Sequence, residues 1–332
     1  MSEFWNGRHV LVTGAGGYTG FNLALQLAQA GAVVRAFLRK GGSARTFPDD
    51  IEVFEGDLTS IEDCRQACKD VDTVFHVAAV FRQVKGTREE LEEVHVGATE
   101  NMIRAAHDAG CRRFVHTSTM GVHGHVKNGP GNEESPYSPG DDYQETKLEG
   151  ELLALRLGAE LGLPVAVVRP CGIYGPGDTR FLKMVKPVSK GRFIMIGSGE
   201  THYHFAYIDD LVQGFMLAGE KEAAVGEAFL IGGEESPTLN DLVRAIASNL
   251  DVKSPRWHIP VWPVYWSGWL CEKLCKLIGV EPPLHPRRVA FFTKNREFSV
   301  NKAKRLLGFE PKVSLEDGFG RMIDWYRENN LL

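Results

Sequence analysis

An α/β architecture, a doubly wound parallel sheet with a smaller and mainly helical lobe toward the C-terminus, is the fold class this sequence predicts. Three observations carry it. The stretch RHVLVTGAGGYTGFNLALQLAQAGAVVRAFLRK opens with an apolar run at 9–12, turns through Gly14, Gly17 and Gly20, continues as a helix to about residue 30 and closes with a second apolar run ending at Leu38. Apolar runs recur at 51–54, 71–77, 113–116 and 165–168, separated by helical patterns such as 89–109 and 143–161. Strands alternating with helices in this way build a parallel sheet covered on both faces. After Pro170 the texture changes: Gly and Pro cluster, aromatic residues rise, and 181–191 and 238–250 read as helices between loops.

The first of these units is a strand, a glycine-rich turn, a helix and a strand, the nucleotide-binding βαβ unit of a Rossmann domain. Glycines let the backbone approach a pyrophosphate, and the helix N-terminus offers amide groups and a favourable dipole to it. The expected division is a dinucleotide-binding Rossmann domain over 1–175, completed by parts of 205–232, and a substrate-binding lobe over 176–332. No internal repeat is present.

With 332 residues and 43% apolar composition, the chain can bury one large core, or one core with a smaller lobe beside it. A net charge of −5 and scattered Lys and Arg give no electrostatic case for a nucleic-acid partner. The six cysteines, Cys64, Cys68, Cys111, Cys171, Cys271 and Cys275, show no CxxC and no histidine at ligand spacing, so neither a metal site nor a disulfide framework is indicated. They fit a reducing cytosol. MSEFWNGRHV runs almost directly into the first strand, which leaves no room for a secretion signal, and a cytoplasmic enzyme is expected.

The stretch DDYQETKLEGELLALR carries the chemistry. Tyr143 and Lys147 are four residues apart, which on a helix puts a phenol and an ammonium on one face. A free phenol titrates near pH ~10, and a cation beside it favours the phenolate, so a tuned tyrosine can move a proton on and off a substrate hydroxyl. The spacing alone is common on amphipathic helices. The glycine turn gives it weight.

Together the two motifs resemble the extended short-chain dehydrogenase/reductase family, whose glycine motif is TGxxGxxG and whose catalytic pair is Tyr-x-x-x-Lys. The resemblance covers nearly the whole chain, and six further motifs stand in the family's order: GDL at 56–58, HVAA at 76–79, VGATEN at 96–101, HTSTMGVHG at 116–124, RPCGIYGPGD at 169–178 and FAYIDDL at 205–211. It implies that Gly14, Gly17, Tyr18, Thr19, Gly20, Asp57, Leu58, Ala78, Ala79, Lys147 and Pro170 hold the cofactor, Asp57 and Leu58 bracketing adenine and Lys147 holding the nicotinamide ribose. It also implies that segments 205–218 and 229–231 return to the main sheet, and that a hydroxyl at the end of the fifth strand bonds the substrate oxygen. Counting back five positions from the glycine of the family's VYG-like element lands on Thr119, with Ser118 as its neighbour and competitor. His95 departs from the family, which usually has asparagine there.

Cofactor choice turns on the end of the second strand, where a carboxylate favours NAD and an arginine welcomes the 2′-phosphate of NADP. Arg39 and Lys40 stand there, so NADP is expected, with NAD as the alternative. For the substrate, family members acting on nucleotide sugars often carry RYFN after the sixth strand and an arginine before the DFxYV element. Here Gly172 and Tyr203 take the places of that asparagine and that arginine, and Arg287 or Arg288 could partly substitute. The segment 259–284 carries Trp262, Tyr265, Trp266 and Trp269 among charged residues and prolines. It is too broken to span a membrane and fits a wall for an apolar substrate, a helix at a membrane interface, or plain packing of the lobe. Tyr174, Tyr203, Trp262 and Trp266 are the expected substrate contacts. These features resemble most the 3β-hydroxysteroid and sterol-4-carboxylate dehydrogenase branch, which implies hydride transfer on a secondary alcohol or ketone of an apolar substrate. Open alternatives are a nucleotide-sugar 4-epimerase or dehydratase keeping NAD tightly bound, and a cofactor-sensing scaffold without turnover. A homodimer is the expected assembly, with peripheral membrane contact through 259–284 as a further expectation.

Overall fold

The structure is a computed structural model that describes residues 3–42, 45–80, 87–277 and 286–332, with the side chains of 270–288 outside the description. In chain order its strands and helices are β1 (His9–Thr13), α1 (Tyr18–Gln29), β2 (Val33–Arg39), β3 (Ile51–Gly56), α2 (Ile61–Ala67), β4 (Thr73–His76), α3 (Arg88–Glu92), α4 (Ala98–Asp108), β5 (Arg113–Thr117), α5 (Asp142–Leu161), β6 (Val165–Pro170), β7 (Gly172–Tyr174), α6 (Leu182–Ser189), β8 (Met195–Ile196), β9 (Phe205–Tyr207), α7 (Ile208–Glu220), β10 (Ala228–Ile231), α8 (Leu239–Asn249), β11 (His258–Ile259), α9 (Val261–Leu277), α10 (Pro286–Thr293), α11 (Asn301–Leu307) and α12 (Leu315–Glu328).

Seven parallel strands form the main sheet in the order β10-β6-β5-β4-β1-β2-β3. The order reverses at β1, so the loops after β1 and β4 open side by side at the C-terminal edge, where open sheets of this kind bind ligands. β4 and β6 are buried along their whole length, as strands covered on both faces must be. One apolar cluster fills the face of α1 and α7 and runs on into the lobe through Tyr174, Phe205, Leu242 and Phe319, while a second, around Leu11, Val74, Met102, Phe114 and Leu157, lies under α2, α4 and α5.

Two expectations are corrected. The 205–218 segment does not send a strand to the main sheet: β9 pairs with β7 in a separate two-stranded sheet, and only β10 joins the main one, against β6. The expected single helix over 89–109 is interrupted by a π-helical turn at Glu93–Gly97 between α3 and α4. One wide turn leaves the apolar periodicity of the flanking helices almost unchanged, so the pattern reads as continuous. Such turns concentrate at functional positions, and this one faces α5.

Candidate active site

The glycine turn closes as its sequence requires. Gly14 sits at φ +66°, and a Cβ there would lie 2.7 Å from the Ala78 Cα; a Cβ at Gly20 would lie 2.4 Å from the Gly14 carbonyl oxygen. The turn thus packs backbone against backbone, which brings the loop after β1 onto the loop after β4. α1 begins at Gly17 with no side-chain cap and no acidic residue in its first turn, through Tyr18 and Thr19. Its first amides are left to a ligand, and the positive end of the helix is uncompensated, a cradle that fits a pyrophosphate. Arg39 and Lys40 are exposed where β2 ends at this same edge. Asp57 is also exposed and is held in shape by bonds from the Thr59 amide and hydroxyl; Leu58 uses its carbonyl to accept from Asn101. Pro170 closes β6 at the same end of the sheet.

α5 carries the pair. Asp141 caps it by accepting from the Gln144 amide, and Gly162 ends it in the left-handed conformation. Lys147 is 1% exposed. Burial pushes its ammonium down to about 8, with Glu151 one turn on opposing. Burial pushes the Tyr143 phenol up to about 12, Asp141 adds to the rise and Arg180 opposes it. The expected lowering of the phenol by Lys147 is not what the site shows: burial and Asp141 raise the phenol, and the cation that opposes them is Arg180. Glu151 is itself bound by Arg169, whose guanidinium also donates to the Tyr137 hydroxyl and the Glu133 carbonyl, a buried network that fixes the lower half of α5 against β6.

At the end of β5 the Ser118 hydroxyl is buried and has no hydrogen-bond partner among the described residues. Thr119 is partly exposed; its oxygen accepts from the Gly121 amide at 3.1 Å and caps the short turn that follows, which leaves its proton to donate. Of the two, Thr119 has the accessible hydroxyl.

The substrate side differs from its sequence reading in detail. Tyr174 is core: its ring stacks on Phe319 at 4.7 Å and meets Tyr207 edge-on at 5.6 Å. Tyr203 packs on Phe205 and Phe291, and a Cβ at Gly172 would lie 2.4 Å from its ring, so the tyrosine occupies the volume that a side chain at 172 would need. Trp262 and Trp266 are 68% and 58% exposed on the outer face of α9. The side chains of Arg287 and Arg288 lie outside the described residues, as do those of Cys271 and Cys275. Cys64, Cys68, Cys111 and Cys171 are free and buried, and no group of metal-ligating residues occurs among the described residues. No helix among them is long and apolar enough to cross a membrane.

Two features escaped the sequence reading. Arg180, gripped through two nitrogens by Asp178, lies close enough to Tyr143 to pull its phenol down; Asp-x-Arg in GPGDTR is the signal that could have pointed to it. Behind the pair, His95 and Thr146 bond to each other and link α5 to the π-turn. The structural features have counterparts in known proteins. A Mycobacterium tuberculosis protein named 3 beta-hydroxysteroid dehydrogenase/Delta 5-->4-isomerase is 32% identical over 96% of this chain and 90% of its own length. Sterol-4-alpha-carboxylate 3-dehydrogenase, decarboxylating, of Mus musculus is 30% identical over 94% of this chain and 89% of its own. The crystal structure of gox2253 matches with a TM-score of 0.82 and 28% identity, over 98% of this chain and 100% of that one. The pattern of the NAD dependent epimerase/dehydratase family matches residues 10–232, and the chain belongs to that family as an enzyme of the extended short-chain dehydrogenase/reductase type.

Proposed function

We propose that this enzyme transfers hydride between a nicotinamide cofactor and a secondary alcohol or ketone on an apolar, sterol- or steroid-like substrate, with Tyr143 moving the hydroxyl proton. When bound, the cofactor supplies the hydride acceptor or donor. The protein's part is binding and proton management. Thr119, with Ser118 as its neighbour, gives a hydrogen bond to the substrate oxygen; Tyr143 takes the alcohol proton in oxidation and returns it in reduction; Lys147 holds the ribose and keeps a positive charge behind the phenol. Gly14, Gly17, Tyr18, Thr19, Gly20, Ala78, Ala79 and Pro170 shape the cradle. Arg39 with Lys40 favours NADP through a charge-assisted bond to its 2′-phosphate, and paired titrations with NADP and NAD test this.

The observation that carries the apolar reading is the Tyr203 ring packed onto Gly172. The positions from which relatives of nucleotide-sugar type would offer an amide and a guanidinium hold instead an aromatic ring and no side chain. A diphosphate would forgo those charge-assisted bonds, whereas apolar surface gains ~25 cal/mol per Å² buried. The names of the mycobacterial and mouse relatives are in line with this reading. Isothermal calorimetry with uridine or guanosine diphosphate, in protein saturated with cofactor, tests it: no binding is expected. Micromolar binding, abolished by substituting Arg287 or Arg288, overturns it in favour of a nucleotide-sugar epimerase or dehydratase. The proposed setting is the cytosol, in keeping with four buried unpaired cysteines. The proposed assembly is a homodimer, and the exposed aromatic face of α9 at Trp262, Tyr265 and Trp266 is proposed to rest peripherally on membrane headgroups.

A further inference from the structure

Two buried imidazoles lie behind the catalytic pair, and the hydrogen bonds around them leave one arrangement of protons. The Val80 amide donates to His95 Nε2 at 3.1 Å, so that nitrogen is an acceptor. The other, Nδ1, therefore carries the proton, and it lies 2.8 Å from Thr146 Oγ1. The Thr146 hydroxyl proton is used on the Asp142 carbonyl at 2.8 Å, so Thr146 accepts from the imidazole, which agrees with the tautomer set at the other end. His76 repeats the pattern. The Thr99 hydroxyl donates to the His95 carbonyl, so His76 Nε2 must donate to Thr99; the Ala78 amide donates to Thr13, whose own proton goes to His76 Nδ1. Both rings are neutral. Burial, reinforced by the Lys147 ammonium, pushes His95 down to about 3.

Each end of the His95 chain sits on something the reaction needs. Val80 follows Ala78 and Ala79 in the loop that lies against the glycine turn. Thr146 lies between Tyr143 and Lys147, and the His95 ring stands edge-on to the Tyr143 ring with centroids 5.4 Å apart. The π-turn at Glu93–Gly97 carries the residue into this gap. We propose that His95 is a positioning residue, a neutral two-ended clamp that fixes the first turn of α5 and the loop after β4 in one register, so that the phenol and the cofactor are held relative to each other. This rests on the reading of Tyr143 as the acid/base group, whereas the clamp itself is testable without any substrate.

The substrate-free arms are cofactor titration and amide hydrogen exchange on the full chain. His95→Leu removes the acceptor for Val80 and the donor to Thr146. Exchange at Val80 is expected to accelerate about tenfold or more, and cofactor affinity to fall about fivefold. His95→Gln, whose amide offers both an acceptor and a donor, should restore both quantities to within about twofold. Where a substrate is in hand, His95→Leu should lower kcat by about tenfold or more with KM for the substrate little changed, and Gln should recover most of it. Thr146→Val keeps the imidazole but removes the outer bond, and serves where His95→Leu does not fold. It should reproduce the kcat loss and add nothing to it in the double variant. Unchanged exchange at Val80 and unchanged cofactor affinity in His95→Leu would overturn the proposal, and so would a His95→Gln protein indistinguishable from His95→Leu. Failure of the apolar substrate class would leave both substrate-free arms intact and so show itself separately.

Discussion

At the residue scale the site is governed by the cost of burying charge. Lys147 is an ammonium taken out of water, and folding pushes its proton affinity down from 10.5 to about 8. Between those two values the unfolded chain binds the proton and the folded chain does not, so stability rises with pH through that window; below about 8 the full penalty is present. At 1.36 kcal/mol for each pH unit it amounts to roughly 3 kcal/mol. Lys147→Met should therefore be more stable than the wild type at neutral pH by roughly 1–3 kcal/mol, with the difference closing as pH approaches that of free lysine, while cofactor affinity falls. Thermal unfolding at several pH values checks this, and a variant less stable than the wild type at pH 7 contradicts it. A destabilised residue kept at the centre of a site is the usual mark of function. That Tyr143 and Lys147 share one helix was legible from their spacing, and α5 carries both. The direction of the phenol's shift was not, because it depends on how deeply α5 is buried, which a four-residue spacing does not encode.

At the element scale the contact between α5 and the π-turn is set by a missing side chain. A Cβ at Gly150 would lie 2.2 Å from the His95 carbonyl oxygen, the same oxygen that accepts from Thr99. Glycine inside a helix ordinarily costs ~1 kcal/mol relative to alanine. Here the rule should invert: Gly150→Ala forces backbone apart, with a net loss of about 1–3 kcal/mol and a lower Tm. A rise in Tm would show that the π-turn yields freely. The strands of the main sheet and α1, α5, α6 and α8 were readable from their own apolar patterns, and α5 and α8 also carry capping side chains at Asp141 and Thr238. β9 and the π-turn were not. An apolar run such as Phe205–Tyr207 says that a strand forms but not which partner it takes, since the pairing with Gly172–Tyr174 is made far along the chain. Likewise Gly172 and Tyr203 could be noticed separately in sequence, yet only packing shows one ring filling the space over the other.

At the scale of the whole molecule the buried histidines set its response to acid. Burial, first, and the neighbouring Lys147 push His76 and His95 down to about 3 and His116 well below its ordinary range. Below the ordinary histidine value near 6.5 the unfolded chain takes up these protons and the folded chain does not, so the stability present above that pH is lost as pH falls toward 3. His123 and His204 are pushed down in the same sense by burial, and the loss is offset in part by Glu133 and Asp210, whose carboxyls burial pushes up. Unfolding followed by circular dichroism should show a steep fall in Tm below about pH 6; a flat Tm between about pH 7 and pH 5 would contradict it.

The proposed function reduces to one chemical claim: a proton moved by Tyr143 while hydride passes to or from an apolar substrate. The most direct test is the rate of nicotinamide absorbance change for the wild type and Tyr143→Phe, measured against panels of hydroxysteroids, apolar ketones and nucleotide sugars with cofactor affinity recorded alongside. The expected result is turnover by the wild type on a hydroxysteroid or apolar ketone, lost by orders of magnitude in Tyr143→Phe while the variant binds cofactor as tightly as the wild type. Retention of more than about a tenth of the activity by Tyr143→Phe, or conversion of nucleotide sugars with no net change in absorbance, would contradict the account.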